Sequence, residues 1–255
     1  MSRVGTLHQL SHPKKGKTLT VEEELTISKV EYDNFQYTGQ DISSAGDGSI
    51  HIEMKNYMES LKDIKEIRKA NKEVNLTKTE FKVYRKVTGK ISWLADSTRL
   101  DLSYTHLSMS KKNNSATIAD LRNVSRVIKK AKERPSMIRF SRIGDKEDLI
   151  VLGMGDTSFK VDEKAVGGII LFLSNTAMTC AVPIYWKSKT LARVSKDAET
   201  INLVRMMEDA VFASRQLDFL LFGEYKKRIK VRLFTDSEST LESIASSRQI
   251  ERKTL

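Results

Sequence analysis

The chain has 255 residues and carries 44 Lys plus Arg against 33 Asp plus Glu, a formal charge of +11, with enough apolar sequence to bury a core in one large domain or two modest ones. A single cysteine, Cys180, excludes an internal disulfide and the zinc spacings that need paired thiols, and the longest apolar run, over 165–173, is too short to span a bilayer. The basic excess attracts a polyanion, nucleic acid first among them, while the lack of an apolar leader in 1–17 predicts a soluble cytoplasmic or nuclear chain that is neither secreted nor membrane-bound.

Residues 1–30 are polar and read as part strand, part loop. Two strands over 35–42 and 49–52 flank Ser43-Ser44-Ala45-Gly46-Asp47-Gly48, whose glycines tolerate positive φ, so the pair reads as a hairpin. Tyr57, Met58, Leu61, Ile64 and Ile67 recur at helical spacing and predict a helix over 54–67. The block 78–133 is the most helical part of the chain. It has one stripe at Phe81, Tyr84, Val87, Ile91 and Leu94, another at Leu121, Val124, Val127 and Ile128, and a short helix over 100–109 between them. Ser115 or Thr117 serves as N-cap of the last helix, Pro135 ends it, and the charged stretch 142–148 divides a unit over 1–143 from one over 144–255.

Beyond that boundary, strands over 149–154, 165–173 and 178–185 follow one another without a helix and predict an antiparallel meander. A long helix over 196–222 stops at Gly223, with Leu203, Met207, Ala210, Leu217 and Leu221 toward the sheet. A fourth strand over 231–235, apolar enough to be buried on both faces, and a helix over 238–246 complete the pattern. A right-handed crossover puts the fourth strand parallel to the first and beside it. The fold class is therefore α/β: a mixed sheet of meander plus parallel strand with flanking helices, preceded by a hairpin and a helical subdomain.

That topology gathers Asp156 at the end of the first strand, Glu199 in the first turn of the long helix, and Asp236 after the fourth strand. Each has a plain structural use: a turn for Asp156, complementing the helix dipole for Glu199, a helix cap for Asp236. Together they read as a site for two Mg2+ ions, with Mn2+ as a substitute. Hard cations take carboxylate oxygens, and two such ions can clamp the attacking and leaving oxygens of a phosphodiester. Lys187 and Lys189, which strand alternation sends to one face after Trp186, and Lys227 and Arg228, ahead of the fourth strand, are the candidate phosphate contacts. His51, His106 and Met206-Met207 read as structural, Cys180 as a core thiol, and Gly167-Gly168 as a place of close backbone approach.

Four stretches carry a family likeness: Phe35-Gln36-Tyr37-Thr38-Gly39-Gln40-Asp41-Ile42; residues 84–91 through Thr98-Arg99-Leu100-Asp101; Tyr185-Trp186-Lys187-Ser188-Lys189; and Asp197-Ala198-Glu199, with Phe234-Thr235-Asp236-Ser237 beyond them. From about Phe35 onward the chain resembles the C-terminal part of a copia-type retrotransposon polyprotein, where the end of the reverse transcriptase precedes a ribonuclease H domain. The resemblance implies a ribonuclease H-like sheet and metal-binding carboxylates at Asp156, Glu199 and Asp236. The implied activity is hydrolysis of the RNA strand of RNA–DNA hybrids. It implies palm-end, thumb and connection-like roles for residues 1–143, and the rest of such a polyprotein as a partner. Three departures stand out. The family's fourth acid would lie just beyond Leu255, Leu100 replaces a usual proline, and no Asp-Asp dipeptide exists to form a polymerase centre. With an incomplete carboxylate set, the alternative is a catalytically silent nucleic-acid-binding fragment.

Overall fold

Residues 34–64, 67–158, 164–191 and 195–242 are described by a computed structural model. The expected strand and loop over 1–30, and the end of the helix expected over 238–246, lie outside them. Thr38 (φ 49°) and Gly39 (φ 83°) both take the left-handed conformation, which a tight two-residue hairpin turn demands. They fold the segment expected as one strand into two, β1 Asn34–Tyr37 and β2 Gln40–Ser44, and β3 Ile50–Glu53 follows. The helix expected over 54–67 is cut to α1 Lys55–Ser60, because Leu61 turns extended (ψ 115°) to bury its side chain.

Helix α2 Lys78–Ser97 begins at a capping box in which Thr77 Oγ1 accepts from Glu80 N–H and Glu80 Oε2 accepts from Thr77 N–H at 2.7 Å. After a turn of 3-10 helix come α3 Ser103–Ser110 and α4 Ile118–Glu133, the latter capped by Thr117 with Asp120. Tyr84, Ile91, Leu94, Leu121, Val124 and Ile128 are buried together, as their spacing predicts. The core also holds Arg99, whose guanidinium donates to Ala131 O (3.0 Å) and twice to Asp101 (2.9 Å each). A strand unexpected from sequence, β4 Met137–Phe140, then pairs antiparallel with β3 and completes a four-stranded sheet in the order β1-β2-β3-β4.

The second sheet has the order β7-β6-β5-β8. Its meander strands run longer than expected: β5 Leu149–Ser158, β6 Val166–Asn175 and β7 Ala181–Thr190. Asp156 consequently lies inside β5, opposite Gly168, and not at its end. Helix α5 Ser195–Phe222 crosses to β8 Lys230–Phe234, which pairs parallel with β5 as expected. Against expectation β8 is not buried on both faces: as the sheet's edge strand it alternates half-buried and exposed residues. Residues 238–242 are helical.

The buried stripe of α5 also differs from the expected one. Leu203, Leu217 and Leu221 are half-buried and Met207 is exposed, whereas Ala198, Asn202, Met206, Ala210, Ser214 and Asp218 are buried at strict four-residue spacing. Three of these six are polar, and each is tied to sheet or loop backbone. Asn202 Nδ2 donates to Asp156 O and Gly168 O, Ser214 Oγ donates to Ile229 O, and the Asp218 carboxylate accepts from Arg228 and Ile229 N–H. The helix sits close because the sheet beneath it is cut away. A Cβ at Gly153 would come within 3.1 Å of Met206, and one at Gly167 would collide with Asn202 Oδ1. Trp186 Nε1 donates to Ala95 O at 2.5 Å and Ser103 Oγ to Ser188 Oγ at 3.2 Å, joining the second sheet to the helices.

Candidate functional site

Where α5 starts over the C-terminal ends of β5 and β8, the backbone leaves a shallow cleft lined by Asp156, Glu199 and Asp236 together with Gly155, Asn202 and Thr235. The three expected carboxylates thus come from three elements to one cleft. Asp156 and Asp236 are exposed and Glu199 is half-buried. Asp156 is anchored twice: its Oδ1 accepts from Thr157 N–H at 2.6 Å, and its main-chain oxygen accepts from Asn202 at 3.1 Å.

The donor set is all oxygen, which suits a hard divalent cation in kind. Among the described residues, however, no group of three His, Cys, Asp or Glu side chains is drawn close enough to hold an ion. Like charges repel, and Asp156 spends one oxygen on a neighbouring amide.

Lys187 and Lys189 do share a face, and both line a second concavity with Arg205. Burial opposes the Lys187 charge, but Tyr185, Lys189 and Asp209 outweigh it and raise its ammonium above the usual lysine range. Lys189 moves the other way, lowered chiefly by the charge of Lys187. Lys227 and Arg228 are not brought to the cleft. They precede β8 and so lie at the opposite end of that strand from Asp236. Arg228 is used locally, donating to Glu224 at 3.0 Å and lying 4.6 Å over the Phe222 ring. His51 bonds Ser49 across one strand position, and Cys180 is half-buried beside Ser141.

Asn202, Ser214 and Asp218 escape a reading built on apolar periodicity. Their signal is the four-residue spacing that continues from Ala198 through Asn202 to Asp218.

No protein-family model matches this chain, and no curated protein matches it either. No helix among the described residues is long and apolar enough to cross a membrane.

Proposed function

We infer that residues 144–255 act as a ribonuclease H-like unit hydrolysing the RNA strand of RNA–DNA hybrids, and that residues 1–143 serve as a reverse-transcriptase palm-end, thumb and connection-like remnant that grips the duplex. The reading takes the chain as derived from a copia-type retrotransposon polyprotein. The observation that carries it is the convergence of Asp156, Glu199 and Asp236 on one cleft within a strand-strand-strand-helix-strand order whose last strand runs parallel to the first. Asp156, Glu199 and Asp236 would hold two Mg2+ ions, which when bound supply Lewis-acid stabilisation of the attacking and leaving oxygens. The chain's own share is positional. Asn202 fixes the backbone beneath Asp156, and the first turn of α5 sets the height of Glu199. Lys187 and Lys189 offer charge to phosphates, and hybrid preference rests on groove shape and 2′-hydroxyl contacts.

A silent nucleic-acid-binding module is the second reading, favoured by the absence, among described residues, of three acids close enough to share an ion. Mg2+-dependent cleavage of a labelled hybrid, run beside duplex DNA, separates the two. Asp156→Asn should lower cleavage by at least about a hundredfold, since even outer-sphere changes around a metal reach that size. Equal background from the variant and the unaltered chain refutes hydrolysis and leaves the silent module. Preferential cutting of the DNA duplex refutes the hybrid assignment.

A further inference from the structure

Helix α5 carries a second organised face, turned away from the sheet. Val204, Glu208, Phe212, Arg215 and Phe219 are all exposed, and at about 100° per residue they fall within about 80° of arc on one side of the helix. Phe212 is 66 % exposed, and Leu220 at the edge of the stripe is 75 % exposed. Phe219 stacks on the exposed Tyr225 with ring centroids 5.1 Å apart, which widens the apolar patch at the C-terminal end. Single apolar residues on a surface need no explanation, but a contiguous stripe of them marks a contact face. Its two charges carry the argument further. Glu208 and Arg215 stand about 10 Å apart along the axis, too far to pair with each other. Among the described residues neither makes an ion pair of 4.0 Å or less, although Arg205 lies one turn before Glu208.

The stripe is symmetric about its own centre. Val204 and Phe219 stand equally far from the midpoint between Val211 and Phe212, and so do Glu208 and Arg215. An identical helix laid antiparallel across that midpoint brings Val204 against Phe219, Phe212 against Val211 and Phe212, and Glu208 against Arg215. A two-fold axis then makes each of these contacts twice. We propose that this face is the interface of a homodimer in which α5 of one protomer packs antiparallel on α5 of its partner. The stripe runs about 22 Å along the helix, a length that calls for the shallow crossing of about 20° at which ridges of one helix fill grooves of the other over several turns. Phe212, Phe219 and Tyr225 each leave about half or more of the ring in water, roughly 100 Å² apiece. With Val204 and Leu220 the apolar area covered comes to roughly 500 Å² per protomer, so the pair reaches about 1,000 Å² before its polar rim, the lower edge of specific interfaces. Charge selects both partner and direction, because a parallel copy would set Glu208 on Glu208 and Arg215 on Arg215. Glu199 lies about 19 Å along the axis from the two-fold, outside the contact, so each carboxylate cleft stays open in the dimer.

Sedimentation velocity of the nuclease-treated full chain over a concentration series tests this, in about 0.15 M salt to screen the repulsion between two chains of charge +11. The unaltered chain should pass from monomer to dimer as concentration rises. Phe212→Ser should weaken association by at least about thirtyfold, the loss of a central aromatic anchor. Glu208→Arg and Arg215→Glu should each weaken it by at least about tenfold, since each sets like charges face to face at both ends of the contact. Mixed in equal amounts, these two variants should form a heterodimer about as tight as the unaltered homodimer, because every facing pair is then opposite in sign. A chain that stays monomeric at every concentration overturns the interface and leaves the face to a different protein. A dimer undiminished by both charge reversals places the contact elsewhere, and a mixture that fails to recover refutes the antiparallel register. Dimerisation alongside absent Mg2+-dependent cleavage supports the interface and defeats the hydrolytic reading. Hybrid cleavage by a chain that never dimerises does the reverse.

Discussion

Removing the Asp218 carboxylate should destabilise the protein more than any truncation of a single half-buried leucine on α5. Asp218 is fully buried, and its oxygens accept from Arg228 N–H (3.1 Å) and Ile229 N–H (3.0 Å), the two amides that lead into β8. A hydrogen bond to a charged group contributes about 1.5–3 kcal/mol, and a buried donor left bare costs about 1–3 kcal/mol. Arg228 is exposed, so water can replace its partner, but Ile229 is 3 % exposed and its amide stays dry. Alanine also relieves the burial of a carboxylate, which offsets part of the loss. The net expectation for Asp218→Ala is about 2–3 kcal/mol, and about half of that for Asp218→Asn, which keeps one acceptor oxygen. Urea unfolding should show a lower midpoint with an unchanged slope, and hydrogen exchange at Ile229 should accelerate in the order wild type, Asn, Ala. A loss below about 0.5 kcal/mol for Asp218→Ala, or an alanine variant more stable than the asparagine one, would show that these bonds do not hold β8.

Gly167→Ala should cost about 1–3 kcal/mol, because the new methyl meets Asn202 Oδ1 and Leu191. The same change made in an Asn202→Ala background should cost less, and a double-mutant cycle of unfolding free energies that shows simple additivity would refute the contact. The capping box of α2 predicts a pH effect. Hydrogen bonding to Arg68, then the Thr77 amide, pulls the Glu80 carboxyl from 4.5 down to about 2. A group lowered on folding stabilises fully above its unfolded value and loses that contribution as pH falls through the folded one. Wild type should therefore lose its advantage over Glu80→Gln, which keeps a neutral box, as pH drops from about 4.5 toward about 2. Thermal midpoints whose difference stays constant across that window would exclude the linkage.

Much of the second sheet is legible from the residues because its elements are long and its boundaries carry chemical marks. Gly223, at φ +74°, ends α5 where the sequence says it should, and strands of ten residues leave an unmistakable pattern even when their ends are misjudged. The right-handed crossover then fixes β8 beside β5, so the meeting of Asp156, Glu199 and Asp236 follows from topology more than from any local motif. What escapes is set by tertiary context. Met137–Phe140 is too short to declare itself as a strand and gains its identity from β3, distant in sequence. Thr38 gives no warning of positive φ, since threonine disfavours it; pairing between β1 and β2 imposes it. Asn202, Ser214 and Asp218 fall outside the expected apolar stripe, and only the glycines beneath α5 reveal how near the helix lies to the sheet. Lys227 and Arg228 precede the strand that Asp236 follows, so the chain order alone sets them at the opposite end of β8 from the carboxylates.

The polar attachments along α5 have a mechanical consequence. A helix lying on oil can slide or roll by a fraction of a turn at small cost, whereas Asn202, Ser214 and Asp218 grip the underlying chain at points about 24 Å apart along the axis. Only one axial setting satisfies all of them, so α5 behaves as a keyed shaft. The alignment of Glu199 with Asp156 is thereby governed from the far end of the helix. Replacing the keys with leucines to harden the protein would leave the shaft free to turn in its bearing.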